Sequence, residues 1–340
     1  MADLFSTDVL TGVVQYLVGN PQFLLDRYFG RVQAEASEQI HFDVIQGKRR
    51  VSPFVSPLVE GQMVASPGFV TNTFAPAYIK DKRVFDMNRP LKRMPGEQFG
   101  GTMSADARLR AMIANDMADQ LEMLRRRLEV MCGEVLCTGK STISGDKYPT
   151  TVVDFMRASN QTFTANPLWS AATPPILNNL HDWAAMVMAS SGVFPRDVIM
   201  AADVWKVFRN DPGLQQHMDM FRSMTQDPSI MPQGLATEGG VLMGQIDGFN
   251  IWVYSGWYVD PTDGVEKPII PAGTVLLVSP AVEGVQAYGA IRDEEAGLQP
   301  LPYYVKSWTQ NDPSVRFLML QSAPIMVPYR PNASLAAKVL

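Results

Sequence analysis

The residues able to do chemistry in this 340-residue chain are few and scattered. Thr138-Gly-Lys-Ser-Thr142 resembles the end of a phosphate-binding loop, where a glycine-rich turn between a strand and a helix cradles phosphate. The spacing fails, because position 134 is Glu134 and the nearest glycine, Gly133, is one residue too far. The segment also follows a helical pattern rather than a strand, so nucleotide binding is not expected. Asp293-Glu294-Glu295 gathers three carboxylates that could hold a cation or serve a hydrolase, but a solvated turn accounts for them more simply. His181 stands beside Asp182 and Trp183 with no serine or cysteine in a nucleophile-elbow setting, and reads as a structural histidine. Cys132 and Cys137 are the only cysteines; on a helix they point about 140° apart, which favours buried free thiols over a disulfide or shared metal. With His41, His181 and His217 the only imidazoles, no Cys/His cluster has zinc spacing. No catalytic, cofactor or metal site is expected, and the chain is not read as an enzyme.

Composition narrows the remaining classes. At 46% hydrophobic and 19% charged the chain is ordinary globular material with room for two packed lobes. No apolar run reaches the ~18 residues a membrane span needs, and Met1-Ala-Asp-Leu-Phe5 lacks the features of a secretory signal. Production in a cytosol is expected. The net charge of −5 offers no bulk cation excess for gripping phosphates, so if the chain meets DNA at all it is expected to contain or exclude it rather than hold it tightly. Twenty methionines suit surfaces that repack.

The element that must position everything else is a helix from Ser104 to about Cys137. Leu109, Ile113, Met117, Leu121, Leu124 and Leu128, continued by Met131 and Val135, step by three and four residues and form its expected core face. Ser104 can cap the N-terminus and Asp106 faces the positive end of the dipole. Pairs at i,i+4 (Asp106 with Arg110, Glu122 with Arg126, Arg125 with Glu129) are expected on the wet face. Gly139 then ends a rod roughly 50 Å long.

Before this beam, residues 1–39 hold two short apolar helical patches, Val9 to Leu17 and Phe23 to Phe29, too short to be stable alone. They read as an arm that needs a surface to lie against, or else as a helix pair docked on its own body. His41 to Ile45 alternates like a strand. Val55 to Val64 and Phe69 to Arg83 flank the Pro67-Gly68 turn signal and read as a long two-stranded flap with prolines at its edges. Such a ribbon is marginal alone in water, so a partner surface is expected, with folding back on its own body the alternative. The residues expected at that assembly contact are Val55, Gly61, Pro67, Gly68, Phe74, Tyr78, Lys80 and Lys82.

Beyond the long helix, Thr142 to Phe155 reads as a hairpin and 160–175 as a proline-rich boundary. A second lobe, 176–295, holds a helix from Ile176 to Ala189 and buried strands at Asp197–Ala202 and Thr274–Val278. Asp203 is expected to cap a helix from Val204, and Val241 to Tyr254 to form a hairpin turned at Asp247-Gly248. Residues 211–240 read as an exposed loop region. Strands Tyr303–Trp308 and Val315–Gln321 are expected to pair with the 142–155 hairpin and cover the long helix. The class is α+β.

Several stretches together resemble the lambda-type major capsid proteins of tailed bacteriophages, the phage major capsid protein E family with the Hong Kong 97-type shell fold. They are Val51-Ser-Pro-Phe-Val-Ser-Pro-Leu-Val-Glu-Gly61, Phe74-Ala-Pro-Ala-Tyr-Ile-Lys80, Leu91-Lys-Arg-Met-Pro95 and Val253-Tyr-Ser-Gly-Trp-Tyr-Val259. Tyr288-Gly-Ala-Ile-Arg-Asp293, Asp312-Pro-Ser-Val-Arg-Phe317 and Gln321-Ser-Ala-Pro324 continue the series. The resemblance implies an N-terminal arm (1–39) and an extended loop with a flanking strand (40–86). It also implies a peripheral domain (87–175 and 296–340) carrying the spine helix 104–137, and an inserted axial domain (176–295). It implies hexamers and pentamers in an icosahedral head around double-stranded DNA, bound without sequence specificity. Portal and scaffolding proteins, in some members a decoration protein, and no membrane are implied as partners. Assembly in the host cytoplasm and residence in the virion follow. The alternatives are an encapsulin-like nanocompartment shell and, remotely, a hydrolase using Asp293 to Glu295.

Overall fold

Heptad-like spacing and two good caps produce the dominant element, a 34-residue helix over Ala105–Thr138. Ser104 has extended backbone and its Oγ accepts the Ala107 N–H at 3.2 Å. Gly139 takes φ +72°, and its N–H donates to the Val135 carbonyl. The last carbonyls, left without intrahelical donors, are met by Arg157, which donates to Leu136 O and Cys137 O at 2.6 Å each. Burial lowers the Arg157 guanidinium to about 10, still cationic at neutral pH and placed at the negative end of the dipole. Ile113, Met117, Leu121, Leu124 and Leu128 are buried, and Leu109 is half-buried at the margin of the same core.

In this computed structural model the described residues are 22–37, 40–45, 69–74, 76–85, 104–145, 148–172, 174–215, 239–312 and 315–340, with single positions between 51 and 60. The helix expected at Val9 to Leu17 and most of the 211–240 region lie outside them. The helices are α1 (Phe23–Tyr28), α2 (Ala105–Thr138), α3 (Ile176–Ser191) and α4 (Ala202–Phe208). Among the described residues no helix is long and apolar enough to cross a membrane.

A six-stranded sheet runs in the order Thr162–Thr164, Ser334–Lys338, Thr274–Val278, Asp197–Ala201, Phe249–Tyr254, Gly240–Ile246. Its central strands Asp197–Ala201 and Thr274–Val278 are buried throughout, as their unbroken apolar runs require. The last two strands form the expected hairpin, with Asp247 and Gly248 both at positive φ, as a type I′ turn demands. The strands 162–164 and 334–338 come from outside the 176–295 lobe drawn from sequence. They share one continuous core with α2, α3 and the rest of the sheet, so that boundary cuts through a sheet instead of separating two cores.

Three further differences concern pairing. Tyr304–Gln310 and Val315–Ser322 pair with each other, but their third strand is Ile79–Phe85, not the 142–155 hairpin. That hairpin, Lys140–Gly145 with Tyr148–Asp154, stands as its own ribbon. Phe69–Phe74 pairs antiparallel with Ile40–Ile45, so the strand expected to face 55–64 finds the alternating stretch upstream instead. Asp203 does not cap α4, which already begins at Ala202; its carboxylate accepts the Gly273 N–H at 2.6 Å and ties α4 to the 274–278 strand. A third sheet places Arg31–Ala34 parallel to Gly284–Tyr288, which is antiparallel to Pro324–Pro328.

Candidate assembly surface

Two buried carboxylates define the body on which any contact surface rests. Helix α1 is only six residues long, below the length that holds in water on its own. Its N-cap, Gln22, offers no side-chain hydrogen bond to the first turn. That role falls to Glu129 in the middle of α2, fully buried, whose two oxygens accept the N–H groups of Leu24 and Leu25 at 2.8 Å each and the Tyr254 hydroxyl at 2.9 Å. The carboxylate thus sits on the positive end of α1. Glu129 is therefore not paired with Arg125, which reaches toward Asp26 at 3.5 Å; of the three expected i,i+4 pairs only Glu122 with Arg126 forms among the described residues, at 2.8 Å.

At the other end of α1, Arg27 forks onto Asp197 with Nε and Nη2 each 2.9 Å from a carboxylate oxygen. The Tyr28 hydroxyl donates at 2.8 Å, Asn250 Nδ2 at 2.9 Å and Trp252 Nε1 at 3.3 Å. Burial pushes the Asp197 carboxyl up, but the donors from Arg27 and Asn250 outweigh it and hold it below the ordinary 3.8. The native carboxyl therefore gives up its proton more readily than the unfolded chain, so its stabilisation is present above about pH 4 and lost as the pH falls through the lower native value. Asp197→Asn is expected to cost about 2–3 kcal/mol near neutrality, less than a fully buried pair because Arg27 is partly solvated, and to flatten the acid limb of stability. Urea unfolding between pH 2 and 7 reads both effects.

The residues expected at an assembly contact divide into two groups. Val55 is exposed, together with Val51 and a completely exposed Phe54. Gly61, Pro67 and Gly68 lie outside the described residues. The others belong to the body. Phe74 is half-buried against the core. The Tyr78 hydroxyl accepts the Arg292 N–H at 2.6 Å and donates to Gln321 Oε1 at 3.2 Å. Lys80 stands 5.0 Å from the Tyr78 ring centre, and Lys82 lies 3.8 Å from that of Phe317 and 5.2 Å from that of Trp308. Lys80 and Lys82 lie on the strand Ile79–Phe85, which pairs antiparallel with Val315–Ser322.

The groups with possible chemistry have structural work. Asp293 is ion-paired with Lys306 and accepts from Gln321 Nε2 at 3.0 Å. Burial raises its pKa, yet Lys306 and Gln321 bring it below the usual carboxylate value. His181 Nε2 lies 3.3 Å from Asp247 and its ring meets Phe249 edge-on. Gly139 of the Thr138-Gly-Lys-Ser-Thr142 stretch is a helix cap, and Lys140 pairs with Asp154 at 2.9 Å. Cys132 and Cys137 are free and buried, the Cys137 thiol pushed up to about 12 by burial. Among the described residues no three His, Cys, Asp or Glu side chains are grouped to hold a metal ion.

What remains is a self-consistent body carrying an exposed apolar segment. The family described as phage major capsid protein E matches residues 6–339. The chain belongs to that family. It is 28% identical to the major capsid protein of Enterobacteria phage P21 over 99% of both chains. It is also 28% identical to the major capsid protein of Escherichia phage lambda, over 92% of this chain and 94% of that one. A crystal structure of a prophage capsid protein from Escherichia coli CFT073 superposes with a TM-score of 0.75 at 21% identity, covering 98% of this chain and 99% of the other. The capsid of Ralstonia phage GP4 gives 0.53 at 13% identity, over 94% and 91%. The mixed helix-and-sheet architecture of this capsid-family chain is thus the Hong Kong 97-type fold of phage shells.

Glu129 and Asp197 are the functional side chains of the body that sequence reasoning missed. Glu129 follows Leu128 at the edge of the apolar stripe, and its place one residue off that stripe was the available signal.

Proposed function

We propose that this capsid-family chain closes into hexamers and pentamers of an icosahedral phage head around double-stranded DNA, with the 46–68 segment of each copy lying on its neighbour. The observation that carries this reading is the exposure of Val51, Phe54 and Val55, the first two being the most exposed large hydrophobic side chains among the described residues. A heterologous contact that repeats with a closing rotation makes rings, and interfaces of this obligate kind bury roughly 2,000–5,000 Å². An acidic balance keeps the inner wall from holding phosphate tightly. In this reading 1–39 is the arm, docked from Gln22 onward, and 40–86 the extended loop. Residues 87–175 and 296–340 form the peripheral domain, and 176–295 the axial domain, completed by the strands at 162–164 and 334–338. Assembly in a host cytoplasm on a portal with scaffolding, and in some heads a decoration protein, belongs to the same proposal. Expression of the full-length chain and sedimentation with electron microscopy test it: closed particles of many copies are expected, and a monomer or small fixed oligomer overturns it.

A further inference from the structure

The hairpin that follows α2, Lys140–Gly145 with Tyr148–Asp154, has two outer edges that the chain treats differently. Its register sets Lys140 opposite Asp154 and Thr142 opposite Val152, and the Phe155 N–H donates to the Gly139 carbonyl at 3.1 Å. Alternation along an antiparallel ladder then turns the backbone groups of Thr151 and Val153 toward the first strand. Those of Lys140, Thr142, Thr150 and Val152 point outward. The edge of the first strand is closed from within: the Lys140 N–H donates to Thr138 Oγ1 at 3.1 Å and the Thr142 N–H to Glu134 Oε1 at 2.8 Å. The edge of Tyr148–Asp154 has no such cover. Among the described residues nothing accepts the Thr150 or Val152 N–H, and Val152 is 55% exposed. Free edges are commonly blunted by a central charge or proline, but Thr150-Thr151-Val152-Val153 is an uncharged β-branched run, with proline only before it at 149.

We infer that two copies join at this edge, Tyr148–Asp154 of one pairing antiparallel with the same strand of a second about a two-fold axis through Val152. The edge suits its own copy. Centred on Val152, the pairing sets Val152 against its equivalent and Thr150 against the second copy's Asp154, so outward N–H and C=O groups meet in register. The two Asp154 carboxylates, each already paired with its own Lys140 at 2.9 Å, then stand about 14 Å apart and are screened from one another. The ribbon's inner face is covered already, since Ser141, Ile143 and Val153 are buried. The join therefore widens a two-stranded ribbon, a form marginal on its own, into a four-stranded sheet without uncovering any core. Rings closed by a head-to-tail contact need a contact of a second kind to become a shell, and an isologous strand pair is one. The inference rests on the shell-subunit reading and adds this two-fold contact to it.

Full-length chains carrying Val152→Cys, assembled and mildly oxidised, test the pairing; the native thiols are buried. Directly opposed residues of a hydrogen-bonded pair have Cα atoms about 5.5 Å apart, within disulfide reach. Most of the protein is therefore expected as a linked dimer on a non-reducing gel. Thr150→Cys alone, with its equivalents about 14 Å apart, is expected to stay monomeric, as is Leu298→Cys at an exposed site elsewhere. Thr150→Cys chains co-assembled with Asp154→Cys chains are expected to link again. Val152→Pro removes one outward N–H per copy and no ladder bond, so the melting temperature should hold within a few degrees. Its particle yield should fall about tenfold. Intact particles in which Val152→Cys links no more than Leu298→Cys or Thr150→Cys, or a folded Val152→Pro chain that assembles normally, overturn the pairing and leave the shell reading standing. An unmodified chain that never forms many-copy particles removes the shell reading itself, and this contact with it.

Discussion

Replacing residues 46–68 by Asn-Gly is expected to yield a folded, soluble subunit that forms no shells. The design follows from register: Ile45 and Phe69 are directly opposite in the antiparallel pair Ile40–Ile45/Phe69–Phe74, so a two-residue type I′ turn can close the hairpin there. The excised stretch includes Val51, Phe54 and Val55, which leave the core untouched because they are exposed. Shortening the loop removes closure entropy on the order of 1–2 kcal/mol, so the melting temperature should hold steady or rise by a few degrees. Particle yield should fall to background, because the loss is confined to the contact between copies. Thermal melts and sedimentation of the same preparation separate the two effects. Normal particles would show that the segment is not the contact, and an unfolded product would show that it belongs to the body.

The parts legible in the sequence are those with long, repeated signals. The α2 helix has seven turns of three-and-four spacing, a serine cap and a terminating glycine, and its bounds differ from the expected ones by a residue at most. Unbroken apolar runs at 197–201 and 274–278, and Asp247-Gly248 between alternating stretches, were equally explicit. Partner choice was not legible. Ile79-Lys-Asp-Lys-Arg-Val-Phe85 carries four charges and reads as a solvent-facing ribbon, yet it is an edge strand against Val315–Ser322, with Lys82 laid over aromatic rings. Thr162–Thr164 is three residues long, too short to announce a strand that pairs with Ser334–Lys338, far along the chain. Glu129 was misassigned for a related reason: a helix-surface rule pairs it with Arg125 at i,i+4, but the nearest unsatisfied donors belong to a segment more than 100 residues away, at |i−j| of 104 and 105.

Glu129→Ala is expected to be the most damaging single change in the body. It strands three buried donors, the N–H groups of Leu24 and Leu25 and the Tyr254 hydroxyl, at about 1–2 kcal/mol each. It also removes the carboxylate that accepts the Leu24 and Leu25 N–H groups at the positive end of α1, leaving Asp26, which accepts the Gln22 N–H at 3.0 Å, as the acceptor there. A total of roughly 4–6 kcal/mol follows, a large share of a domain's whole stability. Packing leaves no slack to absorb the change: one turn on, Gly133 lets α2 approach so closely that a Cβ there would lie 2.5 Å from Ile269 Cγ2 and 3.6 Å from Leu24 Cδ1. Glu129→Gln keeps an acceptor oxygen and removes a charge from the interior, so it should cost only about 1–2 kcal/mol. Burial holds the Glu129 carboxyl above its ordinary 4.5 despite the Leu24, Leu25 and Tyr254 donors. Its proton-linked contribution is therefore fully present below the unfolded value and lost as the pH rises through the raised native one, a slope both variants should lack. Chemical denaturation gives the magnitude, and amide exchange gives the location: protection should fall first over Phe23–Tyr28 and the adjoining strand Arg31–Ala34. An alanine variant within 1 kcal/mol of the unmodified chain, with unchanged exchange over those residues, would mean that the carboxylate does not hold α1 to the spine.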